Sequence, residues 1–410
     1  MRYGLAIFDY FCSGINKNVE ISKSRDMKLH YFNPENDIAL GLLPGQSLTM
    51  SPMVAELHRC GALLPMWYAS AGDCVLVDEP VDQDFVSRIR RDFALDVDVV
   101  TSVSGASDEV SGAPWGWSFD SARRLSGAGA VVPDAALLEK IRGLSHRRTT
   151  LEVLSRLAGL SAFSGITLPV EAVDVAAVKE ALAGWGEIYV KQPWSSSGRG
   201  VFRVASLNGD AEKRIAGMIR RQGSVMVERA FDKLMDFAML FRSCSGAVQF
   251  VGYSLFFNSS WDSYGGNLML ADADIERALV ERGASIDDLA LLKHFMPEIL
   301  TSIIAPFYDG YFGVDMMLGR NGSISPCVEI NLRMTMGVVA HLLRERLLES
   351  GVDGIFRVAP VSAAVMAESG CEVKNNRVQS GRLFLTPVSA HGFGFSVETA
   401  DGAELQKFLE

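Results

Sequence analysis

Glu329, Asn331 and Arg333 alternate with Val328, Ile330 and Leu332 in the run Ile324-Ser-Pro-Cys-Val-Glu-Ile-Asn-Leu-Arg333. Side chains two apart on a strand share a face, so the three polar groups line one surface while their neighbours enter a core. Upstream, Tyr311-Phe-Gly-Val-Asp-Met-Met-Leu318 reads as the partner strand, with a turn at Gly319-Arg-Asn-Gly322. A three-residue loop, Asn321-Gly322-Ser323, sets Asp315 opposite Glu329 on that same face, whereas a two-residue Asn-Gly turn puts it on the other. Two carboxylates and an amide oxygen form a hard, oxygen-rich site suited to Mg²⁺, which takes few protein ligands. Asp315, Glu329 and Asn331 are therefore the candidate metal ligands. The plainer alternative is a solvated hairpin face; against it, Asn331 is a poor strand former set among apolar neighbours.

Two further stretches carry chemistry. In Ile188-Tyr-Val-Lys-Gln-Pro-Trp-Ser-Ser-Ser-Gly-Arg-Gly-Val201 a strand ends at Lys191 and runs into a turn that contains Ser195, Ser196, Ser197, Gly198 and Gly200. Small residues let backbone N–H groups approach phosphate oxygens, and the lysine supplies a point charge for them. Taken alone, this is equally a flexible hairpin with a surface lysine. It is not a Walker A motif, since no Gly-Lys-Ser/Thr opens a helix. In Ser224-Val-Met-Val-Glu-Arg-Ala-Phe231 a short apolar strand ends at Glu228, with Asp236 shortly after. Such a strand suits a hinge whose backbone reads an adenine edge while a carboxylate takes ribose hydroxyls.

These strands need a scaffold, and the pattern describes one. Over residues 27–140 short apolar runs such as Cys74-Val-Leu-Val77 and Val97-Asp-Val-Val100 alternate with helical stretches, as in an open α/β layer. No G-x-G-x-x-G occurs there, which excludes a dinucleotide fingerprint. The Gly/Ser-rich residues 102–112 read as a loop. A helix begins near Ser145, with Leu151, Leu154 and Leu157 on one face before Gly159. Strands follow at 165–170, 187–192 and 200–204, then a helix at 211–221, a strand at 224–228 and further strands to Asn331. A helical segment at 273–304 interrupts them, with Leu279, Leu289, Leu292, Phe295 and Ile299 facing inward. A helix at 338–350 and a hairpin of 381–387 with 393–397 close the chain.

At 410 residues the chain exceeds what one core supports, so several subdomains are expected. The net charge of −10 and the absence of any Lys/Arg-rich stretch argue against a nucleic-acid or membrane-surface partner. No apolar run reaches the length needed to cross a bilayer. The six cysteines are scattered without C-x-x-C or Cys/His spacing, as expected of reduced thiols in a cytoplasmic protein. Residues 1–26 make a poor signal peptide, interrupted by Asp9 and lacking a basic leader; they read as a disordered leader, with Met27 as the natural start.

Together and in this order, the three stretches resemble the ATP-grasp superfamily over residues 145–341. The family pattern is a basic residue opening a small α/β domain, a strand lysine before a Gly/Ser loop, a V-x-V-E hinge, then D and E-x-N on successive strands. Here these resemble Arg148, with Arg147 as the alternative, Lys191 with residues 195–200, Val225-Met-Val-Glu228, and Asp315 with Glu329-Ile-Asn331. The resemblance implies an α/β architecture, specifically the α+β ATP-grasp fold. An N-terminal open α/β domain (27–140) would precede a small subdomain (141–225), a large subdomain with the metal face (226–345) and a C-terminal extension (346–410). It implies that Arg148 and Lys191 hold the α- and β-phosphates, that Glu228, Arg229, Ala230 and Phe231 take the adenine, and that Asp236 takes the ribose. Asp315, Glu329 and Asn331 would bridge one or two Mg²⁺ ions, or Mn²⁺ in their place, to the β/γ-phosphates of ATP, and Arg333 would steady an acyl phosphate.

The implied activity is an ADP-forming carboxylate–amine ligase acting on two small molecules; a homodimer is compatible with it. A small-molecule kinase and a silent ATP-binding regulator are the alternatives. A carboxylase role is disfavoured, because Thr335 and Gly337 stand where the biotin-carboxylase branch continues with Gln and Glu. A D-alanyl-D-alanine ligase role is disfavoured by Gly313-Val314 before Asp315, where that branch has Arg. Asn33-Pro-Glu-Asn-Asp37 reads as a helix cap or a substrate loop. The aromatics of Pro114-Trp-Gly-Trp-Ser118 and Trp261, Tyr264 and Asn267 read as packing, and His146 and His341 as structural histidines.

Overall fold

The computed structural model describes residues 27–42, 46–104, 109–195, 200–258, 264–362, 365, 370–388 and 392–409. The expected leader, Ser196, Ser197, Gly198 and Trp261 lie outside them. Near the N-terminus, β1 (Met27–Tyr31), β2 (Asp73–Leu76), β3 (Val97–Val100) and β4 (Val110–Pro114) form a parallel sheet in the order β3-β2-β1-β4. Helices Pro52–Gly61 and Gln83–Phe93 cross between the strands and Phe119–Gly127 follows β4, each started by a side-chain cap from Ser51, Asp82 or Ser118. The loop expected at 102–112 is shorter than the sequence pattern indicates. Val-Ser-Gly-Ala-Pro has little strand preference, yet Val110 begins a strand because β1 supplies the ladder.

The small subdomain is an antiparallel sheet of β5 (Val170–Ala172), β6 (Ile188–Lys191), β7 (Val201–Val204) and β8 (Val225–Arg229), in the order β5-β8-β6-β7. Val178, Ile188, Val190, Ile215, Met218, Val225 and Val227 form its core, so helices Val175–Trp185 and Gly209–Gln222 cover the sheet. The strand expected at 165–170 lies later in the chain, at β5.

A nine-stranded antiparallel sheet makes up the rest. It comprises β9 (Lys233–Cys244), β10 (Ala247–Asn258), β11 (Tyr264–Met269), β12 (Gly310–Gly319), β13 (Ile324–Asn331), β14 (Gly354–Pro360), β15 (Gly370–Lys374), β16 (Arg377–Phe384) and β17 (Phe393–Thr399). Their order is β13-β12-β9-β10-β11-β14-β17-β16-β15. Strand alternation divides the core: Phe237, Met239 and Phe241 of β9 pack with helices Arg148–Ala158 and Ile286–Ile304, whereas Leu240 packs with helix Met336–Leu347.

The single helical segment expected at 273–304 is two helices, Asp272–Glu281 and Ile286–Ile304. Gly283 turns the chain with φ +100° between them, and Ser285 caps the second through the Asp288 N–H. The C-terminal hairpin joins β16 to β17, pairing Arg382 with Glu398 and Phe384 with Ser396, and β17 extends the large sheet through β14. No helix among the described residues is long and apolar enough to cross a membrane.

Candidate active site

Asp315 lies opposite Glu329 across β12 and β13, but by a different route from a simple three-residue turn. Beside the turn Leu318 pairs with Ile324 and Met317 with Ser325; a bulge then gives β13 two extra residues before Asp315 meets Glu329. Pro326 sits inside that bulge and has no N–H for the ladder, which is where strands tolerate proline. Asn331 Nδ2 donates to Asp315 Oδ2 at 3.0 Å, and Arg333 Nη2 donates to Asn331 Oδ1 at 3.0 Å. Arg333, Asn331 and Asp315 thus form one continuous chain, while Ile330 and Leu332 are buried on the opposite face.

Burial, and next the charge of Glu329, push the Asp315 carboxyl up to about 7; burial also raises Glu329, against the lowering effect of Arg147. Two carboxyls whose ionised forms burial disfavours, beside an amide oxygen with a lone pair to spare, are a donor set that a hard divalent cation relieves. The residues present therefore fit Mg²⁺.

Basic residues face this acidic strand. Arg147, one residue before helix Arg148–Ala158, is 6% exposed, and its Nη2 donates to Glu329 Oε1 at 2.6 Å and to Ser195 at 3.4 Å. Its buried Nε has no partner among the described residues. Arg148, the first sequence candidate, points elsewhere: its side chain is 55% exposed and lies 3.6 Å from Glu171. The difference between the two arginines has a geometric reason, since adjacent residues at a helix start project about 100° apart and only one can face the sheet. Next to them His146 accepts from the Arg148 N–H, and burial, with the charges of Arg148, Arg142 and Arg147, holds it down at about 3, a neutral structural group.

Lys191 ends β6 with its side chain buried, and its Nζ donates to Glu228 Oε2 at 2.5 Å. The β6–β8 pairing sets Tyr189 opposite Glu228, so lysine and glutamate meet diagonally along one face. Arg229 is the last residue of β8; Ala230 follows, its N–H donating to Glu187 O at 3.0 Å, and the Phe231 ring lies against Gly319. Asp236 on β9 is opposite Met317 and accepts from Lys233 Nζ at 2.6 Å. The Gly200 carbonyl accepts from the Gln192 N–H at 2.9 Å.

The N-terminal domain contributes more than the sequence indicates. Asp37 accepts from Arg333 Nε at 3.0 Å and Nη2 at 2.6 Å, a forked pair between residues 296 apart in the chain. Asn33 fixes that turn by holding both backbone groups of Gly116, at 2.9 and 3.2 Å, and a side chain at Gly116 would collide with Asn36 at 2.5 Å. Sequence reasoning missed Gln222. Its side chain accepts from the Trp194 N–H and donates to the Trp194 carbonyl, both at 3.2 Å, anchoring the residue before Ser195. No local signal marks a glutamine at a helix end for that task.

Neither a family model nor a curated protein sequence matches the chain. Solved structures do. N5-carboxyaminoimidazole synthetase from Staphylococcus aureus aligns with a TM-score of 0.51 at 12% identity, covering 93% of this chain and 95% of that one. Its ADP complex aligns equally, with a TM-score of 0.51 and 13% identity over 93% and 95%. The biotin carboxylase–beta-gamma-ATP complex from Campylobacter jejuni aligns with a TM-score of 0.52 at 11% identity, over 92% of this chain and 88% of that one. The chain has the ATP-grasp fold, with its parallel N-terminal sheet, small antiparallel subdomain and large antiparallel sheet.

Proposed function

We propose that this protein is an ATP-dependent ligase that activates a carboxylate as an acyl phosphate and couples it to an amine. The observation that carries the reading is the meeting of Asp315, Glu329 and Asn331 on one strand face with Arg147 reaching Glu329 from the opposing elements. Asp315, Glu329 and Asn331 would hold Mg²⁺, which when bound neutralises charge on the β- and γ-phosphates. Lys191 and Arg147 would hold phosphate oxygens by charge-assisted hydrogen bonds. The strand ending at Glu228, with Arg229 to Phe231, would take the adenine, and Asp236 the ribose.

A carboxylate oxygen of the acid substrate takes the γ-phosphoryl group and ADP leaves; the amine nitrogen then attacks the acyl carbon, losing a proton, and phosphate leaves. Arg333, aimed by Asp37, would orient the carboxylate and steady the oxyanion of the tetrahedral adduct. The test is ADP and phosphate release from Mg-ATP across a panel of carboxylate–amine pairs, in the wild type and in Glu329→Gln. The expected result is release of both products in equal amounts, reduced about a hundredfold or more in the variant. ADP without phosphate would mark a kinase instead, and unchanged turnover in Glu329→Gln would overturn the metal assignment.

A further inference from the structure

Trp194 stands three residues after Lys191 and one before Ser195, and it is 8% exposed. Buried tryptophans ordinarily serve packing, but each part of this one is tied to a residue beside a candidate binding group. Its Nε1 donates to the Arg142 carbonyl at 3.1 Å, taking one of the acceptors that the last turn of helix Ala135–Leu144 leaves without an intrahelical donor. The Arg142 guanidinium lies 4.2 Å from the ring centre, and the His146 ring meets the indole in a T-shape with centroids 4.7 Å apart. Gln222 holds both its backbone groups.

From this ring the hold passes to the functional elements. Arg147 donates its backbone N–H to the Pro193 carbonyl at 3.2 Å, and its Nη2 reaches the Ser195 carbonyl and hydroxyl at 3.4 Å. Arg147 is thus fastened to the residues on either side of Trp194. Strand β6, which ends at Lys191, leads into the same segment. Helix Asn36–Leu40, which carries Asp37, is reached through Arg142, whose Nε donates to the Leu40 carbonyl at 2.8 Å. The next residue, Gly41, has no side chain; a Cβ there would come within 2.7 Å of Gln222 Nε2, which the Trp194 carbonyl already holds in place.

Arg147 is buried against Glu329, and its Nε has no partner among the described residues. The direction of that donor follows from where its backbone is set, and a displacement of about 1 Å is enough to cost an oriented group most of its effect. Resting on the nucleotide site of the ligase reading above, we propose that Trp194 is a positioning residue that acts through Arg147, holding its guanidinium in register with the phosphate groups that Lys191 takes.

The test is a double-mutant cycle on the full chain, Trp194→Leu with Arg147→Gln, read by calorimetric affinity for Mg-ATP and for adenosine and by turnover over the carboxylate–amine panel. Adenosine lacks phosphates, so it separates the adenine side of the site from the phosphate side. Trp194→Leu is expected to weaken Mg-ATP about tenfold and adenosine by less than about twofold; Trp194→Phe, which keeps a ring between Arg142 and His146, is expected to limit the Mg-ATP loss to about threefold. In the Arg147→Gln background the further cost of Trp194→Leu should fall below about twofold, because the group it acts through is gone. Additive losses, or equal weakening of Mg-ATP and adenosine, would overturn the inference while leaving the ligase reading in place. Coupled loss of Mg-ATP affinity in a protein that turns over no acid would uphold the inference and overturn the ligase. A wild type that binds no Mg-ATP would overturn both. Urea midpoints separate loss of positioning from loss of the fold, and if Trp194→Leu does not fold, the same cycle run with Trp194→Phe decides the outcome.

Discussion

Arg147 Nη2 donates to Glu329 Oε1 at 2.6 Å, joining the start of a helix to a strand 182 residues later and placing a cation directly against a candidate metal ligand. If the proposed function holds, bound nucleotide would offer the Arg147 guanidinium phosphate oxygens, and its Nε, without a partner among the described residues, would be available for one of them.

Arg147→Gln is therefore expected to reduce ATP turnover about a hundredfold, the usual cost of one oriented charged donor at a developing charge. Arg148→Gln, one residue away with an exposed side chain, is expected to stay within about threefold of wild type, because surface ion pairs contribute little. Coupled-assay rates for the two variants check this directly. Equal losses would mean that both arginines reach the nucleotide.

The Lys191–Glu228 pair, its lysine buried and its glutamate partly so, gives a stability prediction. Lys191→Met leaves Glu228 without its cation, which is expected to lower the unfolding free energy by about 3 kcal/mol; adding Glu228→Gln recovers part of it by removing the stranded charge. Urea titration of the two variants measures this. ATP at about 100 times its Kd should add about 2.7 kcal/mol to the wild type and much less to Lys191→Met, since linkage requires binding to the native state. Equal ATP stabilisation in the two proteins would remove Lys191 from the nucleotide site.

How much of this was legible in the sequence depends on distance along the chain. The polar face of β13 follows from alternation alone. The register of Asp315 against Glu329 was expected, but from a turn, whereas the structure reaches it through the bulge at Pro326. A proline in a strand announces a break in the ladder without saying how many residues the break takes up. Choosing between Arg147 and Arg148 required the helix phase, which a boundary uncertain by one residue cannot supply. The forked contact of Asp37 with Arg333, and the hold of Gln222 on Trp194, depend on tertiary approach of elements that no local pattern links.

A pH prediction comes from the N-terminal domain, away from the proposed chemistry. His58 Nδ1 is 3.0 Å from Glu35 Oε2 and Nε2 is 3.1 Å from Asp78 Oδ2, in a cavity at the carboxyl ends of β1 and β2. Burial alone would lower the histidine; the hydrogen bonds to Asp78 and Glu35 outweigh it and push its pKa up to about 9. The same histidine, against burial and with help from Arg124, holds Asp78 down at about 2. A raised histidine stabilises the fold fully below its unfolded value near 6.5 and loses that contribution as pH rises through about 9. The depressed aspartate contributes above its ordinary value near 3.8 and loses its share as pH falls toward about 2. The stability difference between wild type and His58→Gln should thus be largest between about pH 4 and 6.5, of order 3 kcal/mol, and should shrink steadily to pH 9. Denaturant midpoints of both proteins at half-unit pH steps supply the measurement. A difference that grows between pH 6.5 and 9 would mean that the native state holds His58 neutral, and that the two carboxylates are stabilised by some other cation.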